Sequence, residues 1–378
     1  MSLKPNPTLI KYTFKAEWFD PMAAMARPYL VSFFTNDNTI EIYDVKNKRV
    51  FLRRCPCGDA TFDQFFIGNT VDIFARSFKL LDYADGFTRG SSIQERERSL
   101  LIVKPDIMQF FGRVVELIEK EDLRICRLRS FRLNRQETSE IFEEYSEHPK
   151  FEELVRFVSG QLVIGMEVVG KSCHSRIVEL VGPDEPDEAR ISHPESLRAV
   201  LGKDWVRNGV YCTGSEESEK RADAILFGRS HGVTAMKNGS TFGLILPHVI
   251  REKKAGALLR DVLEEGGFDL SCAELFHLSN NNAYEFFKVY QGIWKDFSVK
   301  LEEVVSGPCI ALELKGNDVQ QSFRSLCGPH DPTIAKVLAP KSLRAKYGRD
   351  RVHNGIHCTD LEDDTFIECE FFFDTLQE

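Results

Sequence analysis

Asn354-Gly355-Ile356-His357-Cys358-Thr359-Asp360 lies near the end of a chain of 378 residues, with Arg344 thirteen residues before His357 and Glu368 eleven after it. A histidine in a loop, with an arginine and an amide upstream and a carboxylate downstream, has the makings of a nucleophile that accepts a phosphoryl group. The same stretch occurs earlier, as Arg198-Ala199 and then Arg207-Asn208-Gly209-Val210-Tyr211-Cys212-Thr213. The spacing from Arg198 to Tyr211 equals that from Arg344 to His357, and tyrosine stands where the second stretch has histidine. One copy is built for chemistry and the other is not.

Outward from these stretches the duplication continues. Phe242-Gly243-Leu244-Ile245-Leu246 matches the apolar run Leu100-Leu101-Ile102-Val103, with Pro247 matching Pro105. Gly328-Pro329 matches Gly182-Pro183, and Ser342-Leu343-Arg344-Ala345 matches Ser196-Leu197-Arg198-Ala199. Within the first copy, the continuous apolar run at 100–103 and the segments 125–128 and 162–168 read as strands, and the periodic apolar positions at 111–121 and the segments 138–145 and 151–159 read as helices. Strands mixed with helices over about 130 residues suggest an α+β sandwich, present twice. The boundaries expected are 98–228 and 241–378, joined by a linker at 229–240.

Residues 1–97 are different in kind. β-Branched and aromatic runs at 29–34, 39–45, 50–52, 71–74 and 78–83, bounded by Gly, Asn and Asp, predict a β-rich module. It holds no cluster of nucleophiles, no paired carboxylates and no glycine-rich phosphate loop, so docking or binding is its expected work. The composition, 42% hydrophobic and 28% charged, is that of a globular protein. No apolar run approaches the length of a membrane span, and Met1-Ser2-Leu3-Lys4-Pro5-Asn6-Pro7 lacks a signal peptide's apolar core, so an intracellular protein without a membrane role is expected. Ten cysteines with only Cys55-Pro56-Cys57 close together point to buried, unbridged thiols and to no metal site. A net charge of -9 argues against general DNA binding.

The repeated stretches resemble the nucleoside diphosphate kinases. Lys104-Pro105-Asp106 is similar to that family's first-strand motif, and Arg-Asn-x-x-His-x-Ser/Thr to its catalytic loop. Phe14-Lys15-Ala16-Glu17-Trp18-Phe19-Asp20-Pro21 and Tyr43-Asp44-Val45-Lys46-Asn47 resemble the DM-ten module of ciliary proteins. The resemblance implies a fold of class α+β: a β-rich, PH-like DM-ten module followed by two ferredoxin-like α/β sandwich domains. It also implies that phosphate passes from a nucleoside triphosphate to histidine and then to a diphosphate, with Mg2+ on the ATP or NDP phosphates.

Carried over residue by residue, the resemblance gives His357 as nucleophile, Glu368 as its supporting carboxylate, and Arg324 and Arg344 as phosphate ligands. Asn354 falls on the sugar side, Thr359 supplies a hydroxyl near the histidine, and Tyr290 and Phe297 fall near the tyrosine and base-stacking positions. Leu246 occupies the lysine position, and losing one preorganised donor costs about 100–1000-fold in rate, roughly 3 kcal/mol. The first copy keeps Lys104, Arg198 and Asn208 as nucleotide-binding positions. It has Tyr211 for the histidine, Val178 for Arg324, Ala222 for Glu368 and Lys150 near the base-stacking position, and a phenol with pKa about 10 is a poor nucleophile here.

The residues alone leave plainer readings open: His357 as a loop histidine without chemistry, Arg198 and Arg344 as helix-end arginines, Lys104 as a solvated strand-end lysine. Two functions are therefore expected side by side. The layout implies a structural protein of the cytoplasm, cytoskeleton, ciliary axoneme and centrosome or basal body. Its partners would be tubulin, doublet microtubules, axonemal proteins and the γ-tubulin ring complex, with little or no kinase activity. The alternative is an active kinase working through His357. Two fused copies are expected to pair as an internal pseudo-dimer in a monomeric protein, in place of the family's hexamer.

Overall fold

The β-branched and aromatic runs at the front of the chain form an antiparallel sheet of six strands: β1 (Lys11–Asp20), β2 (Met25–Phe34), β3 (Thr39–Asp44), β4 (Arg49–Pro56), β5 (Thr70–Asp72) and β6 (Ser77–Tyr83). Their spatial order is β4-β3-β2-β1-β6-β5. The computed structural model describes residues 10–20, 25–57, 62, 65–67, 70–74, 76–90 and 96–377. Residues 1–7 and Pro21, used above, lie outside them. β1 was not among the strands read from the sequence. Its lysine and glutamate interrupt the apolar run, yet Phe14 and Ala16 alternate with them and are buried, as a half-buried strand requires. With Val31, Phe33, Ile40, Ile42, Phe78 and Leu80 they make this unit's core.

The chain divides into two compact units, Met1–Arg96 and Glu97–Glu378. The second holds both copies. The first copy supplies β7 (Arg96–Val103), β8 (Arg124–Arg132), β9 (Leu162–Lys171) and β10 (Val210–Cys212). The second supplies β11 (Ser240–Ile245), β12 (Asp269–His277), β13 (Pro308–Lys315) and β14 (Ile356–Cys358). All eight form one sheet, β10-β7-β9-β8-β12-β13-β11-β14. The copies meet where β8 and β12 run antiparallel, with Arg129 opposite Glu274 and their side chains 3.5 Å apart.

A helix pair fastens the same junction. Helix Phe111–Lys120 of the first copy packs on helix Ala255–Arg260 of the second, burying Val114, Val115 and Ile118 with Leu258 and Leu259. The backbones approach through glycine: a Cβ on Gly112 would lie 2.2 Å from the Arg260 nitrogen, and one on Gly256 2.1 Å from that of Glu116. No larger residue fits such a crossing. Glu119 accepts hydrogen bonds from the Ala255 and Gly256 amides at 3.1 and 3.0 Å, so a carboxylate of one copy caps a helix of the other.

One sequence expectation changes and another gains detail. The linker 229–240 is held in place: Ser240 opens β11, Thr234 is buried, and the Met236 and Lys237 amides donate to the buried Glu313 carboxylate at 2.7 and 2.5 Å. The loop expected to carry the histidine contains a strand, since His357 is the middle residue of β14, paired with Leu244 of β11. Three residues are too few to show a period, so the pattern was invisible in the sequence. All ten cysteines are thiols, eight of them buried.

Candidate functional site

The edge strand β14 points His357 inward between the Phe286, Phe287 and Tyr290 rings, whose centroids lie 5.5, 5.5 and 6.0 Å from the imidazole. Its Nε2 is 2.9 Å from Glu368 Oε1, on helix Asp364–Phe373. A carboxylate only accepts, so Nε2 carries the proton and Nδ1 keeps its lone pair. Thr359, two residues on and therefore on the same face, donates its hydroxyl to Glu368 Oε2 at 2.6 Å. Both carboxylate oxygens are thus committed, and the ring cannot turn without breaking a bond.

Arg344, on the short helix Leu343–Tyr347, is buried and donates to the Ile356 and Gly328 carbonyls at 3.1 and 2.7 Å, with Nη2 3.4 Å from Cys358 Sγ. No carboxylate pairs with it among the described residues. Arg324, in the last turn of helix Val319–Cys327, is exposed and pairs with Asp360 at 2.7 Å. Tyr290 donates to the same carboxylate at 2.8 Å and stacks on Trp294 with centroids 4.1 Å apart. Asn354 reaches the His330 carbonyl at 3.4 Å. Phe297 stands apart: it opens helix Phe297–Val305, and its ring contact is with Tyr284 at 6.3 Å.

The sequence reading missed a lysine. Leu246 lies in the apolar cluster with Phe242, Leu244 and Val304 and contributes no donor. From the first turn of helix Phe297–Val305, however, Lys300 donates to the Val352 carbonyl at 2.6 Å and to Asn354 Oδ1 at 2.7 Å. In the first copy Lys104 donates to the matching Val206 carbonyl at 2.6 Å and to Asn208 Oδ1. Burial pushes both ammonium groups down to about 7, and Arg344 adds repulsion at Lys300. His330 was missed as well. Burial, with repulsion from Arg344 and Lys300, lowers it to about 4, and its Nε2 is buried without a hydrogen-bond partner among the described residues.

The first copy is sealed. Arg198 holds the Val210 and Gly182 carbonyls as Arg344 holds their counterparts, but Asp184 stands where the second copy has His330 and pairs with it at 2.8 Å. Tyr145 donates to Asp184 at 2.9 Å, and Asn208 to its carbonyl at 2.8 Å. The buried Tyr211 donates to the Ile141 carbonyl at 3.3 Å, and burial raises its phenol further above the usual range. The cavity among Lys104, Tyr145, Asp184, Arg198 and Tyr211 has a volume of about 10 Å³, room for one water. Ala222, in place of Glu368, leaves no acceptor for a histidine there, and Lys150, expected near the base, is exposed on a helix start.

Among the described residues no cluster of three or more His, Cys, Asp or Glu could hold a metal, and no helix is long and apolar enough to cross a membrane. The family described as nucleoside diphosphate kinase matches residues 97–231 and 239–377. The chain is similar to nucleoside diphosphate kinase homolog 7 of Rattus norvegicus, 34% identical over 99% of this chain and 95% of that one. The Mus musculus homolog 7 is 35% identical over the same shares. A solved nucleoside diphosphate kinase of Aquifex aeolicus is 33% identical, covers 35% of this chain and 95% of its own, and superposes with a TM-score of 0.34.

Proposed function

The chain belongs to the nucleoside diphosphate kinase family, and from that membership we propose that its second copy moves a phosphoryl group from a nucleoside triphosphate to a nucleoside diphosphate through His357. The observation that carries this reading is the bond from His357 Nε2 to Glu368, which fixes the tautomer and leaves Nδ1 as the nucleophile. Nδ1 attacks the γ-phosphorus, an N–P bond forms, and the bond to the bridging oxygen breaks. That oxygen leaves on the diphosphate with the electron pair. Glu368 holds the Nε2 proton and balances the positive charge that develops on the ring. A terminal oxygen of the incoming diphosphate then attacks the same phosphorus and breaks the N–P bond.

Arg344 and Arg324 face the transferring phosphates in this reading, Asn354 lies beside them, and Mg2+ arrives on the substrate's own oxygens. At 5% exposure His357 is closed over by rings. Nucleotide entry therefore requires the Tyr290–Trp294 stack, half-buried at the short turn Lys288–Tyr290, to swing outward.

The test is phosphorylation of the full chain by γ-labelled ATP with Mg2+, followed by a chase with GDP. Acid-labile label that disappears in His357→Ala and leaves on adding GDP is expected. Equal labelling of wild type and His357→Ala would overturn the reading.

The first copy supports a second role. Its fold is kept while its site is closed, which fits a surface retained for docking. We propose that the front sheet is a PH-like DM-ten module and that the protein sits in cilia on doublet microtubules, with the γ-tubulin ring complex as a further partner. The layout resemblance supports this. Failure of the purified protein to co-sediment with axonemal microtubules, together with its absence from cilia, would sink it.

A further inference from the structure

Lys104 and Lys300 stem from unrelated places in the two copies. The first follows β7, and the second sits four residues into helix Phe297–Val305. Their ammonium groups nevertheless take the same two acceptors, the carbonyl and the asparagine side chain two residues apart in the strand-leading loop. Where helix Phe297–Val305 carries Lys300, the fourth residue of the matching helix Phe151–Val158 is Leu154. Leu154 borders the cavity that holds Lys104. Lysine and leucine have changed places between the copies. The apolar volume and the positive charge are both conserved, and the side chains that supply them are exchanged.

We propose that Lys300 is the phosphate-contacting lysine of the second copy, replacing the donor that Leu246 cannot supply. The inference rests on the phosphotransfer reading above. An ammonium has three N–H donors, and two are spent on Val352 and Asn354. The third is uncommitted. Lys300 is 3% exposed and Arg344 6%, and among the described residues neither has a carboxylate within ion-pair distance, whereas Arg198 has Asp184. Two buried cations beside an unpartnered His330 nitrogen and a histidine nucleophile are costly until an anion joins them. A terminal phosphate of a nucleotide has the charge and the acceptor oxygens to do so. The lysine's low affinity for its proton agrees, because a phosphate restores the charge.

Full-length wild type, Lys300→Met and the double variant Lys300→Met/Leu246→Lys would be compared in two assays: the rate of labelling from γ-labelled ATP with Mg2+, and the binding of Mg·ADP against adenosine, which has no phosphate. Lys300→Met should slow labelling about 100–1000-fold, as for loss of one preorganised donor. It should weaken Mg·ADP about tenfold or more, the size of one charge-assisted hydrogen bond, and leave adenosine unchanged. The double variant, with lysine at the strand end as in the first copy, should recover both. Labelling and Mg·ADP affinity in Lys300→Met within about threefold of wild type, below one such bond, would overturn the proposal. So would equal losses for Mg·ADP and adenosine, which mark a lysine that only holds the loop. If wild type takes no label, the phosphotransfer reading fails, and the Mg·ADP against adenosine contrast still decides for or against Lys300. Wild type that binds neither overturns both.

Discussion

Tyr211 and His357 hold the same register on matching edge strands, opposite Ile102 and Leu244. On paper, tyrosine replaces the histidine and Ala222 replaces Glu368. The fold adds two differences: Asp184 neutralises Arg198, and the cavity holds about 10 Å³. Tyr211→His in a His357→Ala background should therefore gain no acid-labile label from ATP. Label above about 1% of wild type, less than one missing donor's cost, would contradict that account. His357, Glu368, Arg344, Asn354, Thr359 and Arg324 could be named because the family's motif fixes their spacing; in the fold Glu368 joins His357 and Thr359, while Arg344 reaches the Ile356 carbonyl and Arg324 pairs with Asp360. Phe297 is not brought to the histidine. Lys300 was not legible. It lies 54 positions beyond Leu246 in a helix, where a lysine between Val299 and Leu301 reads as a solvated residue. The signal was the reciprocal leucine, Leu154 against Lys300, and it appears only when the helix starts at Phe151 and Phe297 are aligned.

At the scale of elements, segments with an open apolar pattern were read, and those without one, the ten-residue β1 among them, were not. Helix Phe111–Lys120 carries its apolar stripe openly, whereas β10 and β14 are three residues each and owe their strand geometry to pairing with β7 and β11. The cap that Glu119 places on helix Ala255–Arg260 has a measurable consequence. Burial raises its carboxyl to about 7 from 4.5, despite the two amide bonds that lower it. Between those values the folded chain keeps a proton that the unfolded chain has lost. This contribution is full below about pH 4 and fades as pH rises through 7, by roughly 3 kcal/mol at most. Chemical denaturation of Glu119→Gln should show a flatter pH dependence from about 4.5 to 7 than wild type, and parallel curves would rule the argument out.

Over the whole molecule, joining β8 to β12 and packing Gly112 on Arg260 and Gly256 on Glu116 covers in each copy an edge strand and a helix face that would otherwise need a partner. Each copy finds that partner inside the chain. We expect a monomer, with a solution mass near 43.2 kDa by light scattering, and a hexamer would contradict the expectation.

The sequence by itself determined the duplication, the β-rich front and the one intact histidine motif, because repeats, apolar periods and fixed spacings are local properties of a chain. Only the tertiary structure decided which groups surround each motif. A buried charge is positioned by whichever element can reach the seat, so Lys300 replaces Lys104 from another direction, Asp184 closes one site, and β8 finds β12. Those outcomes depend on distances between segments far apart in sequence, and no local pattern encodes them.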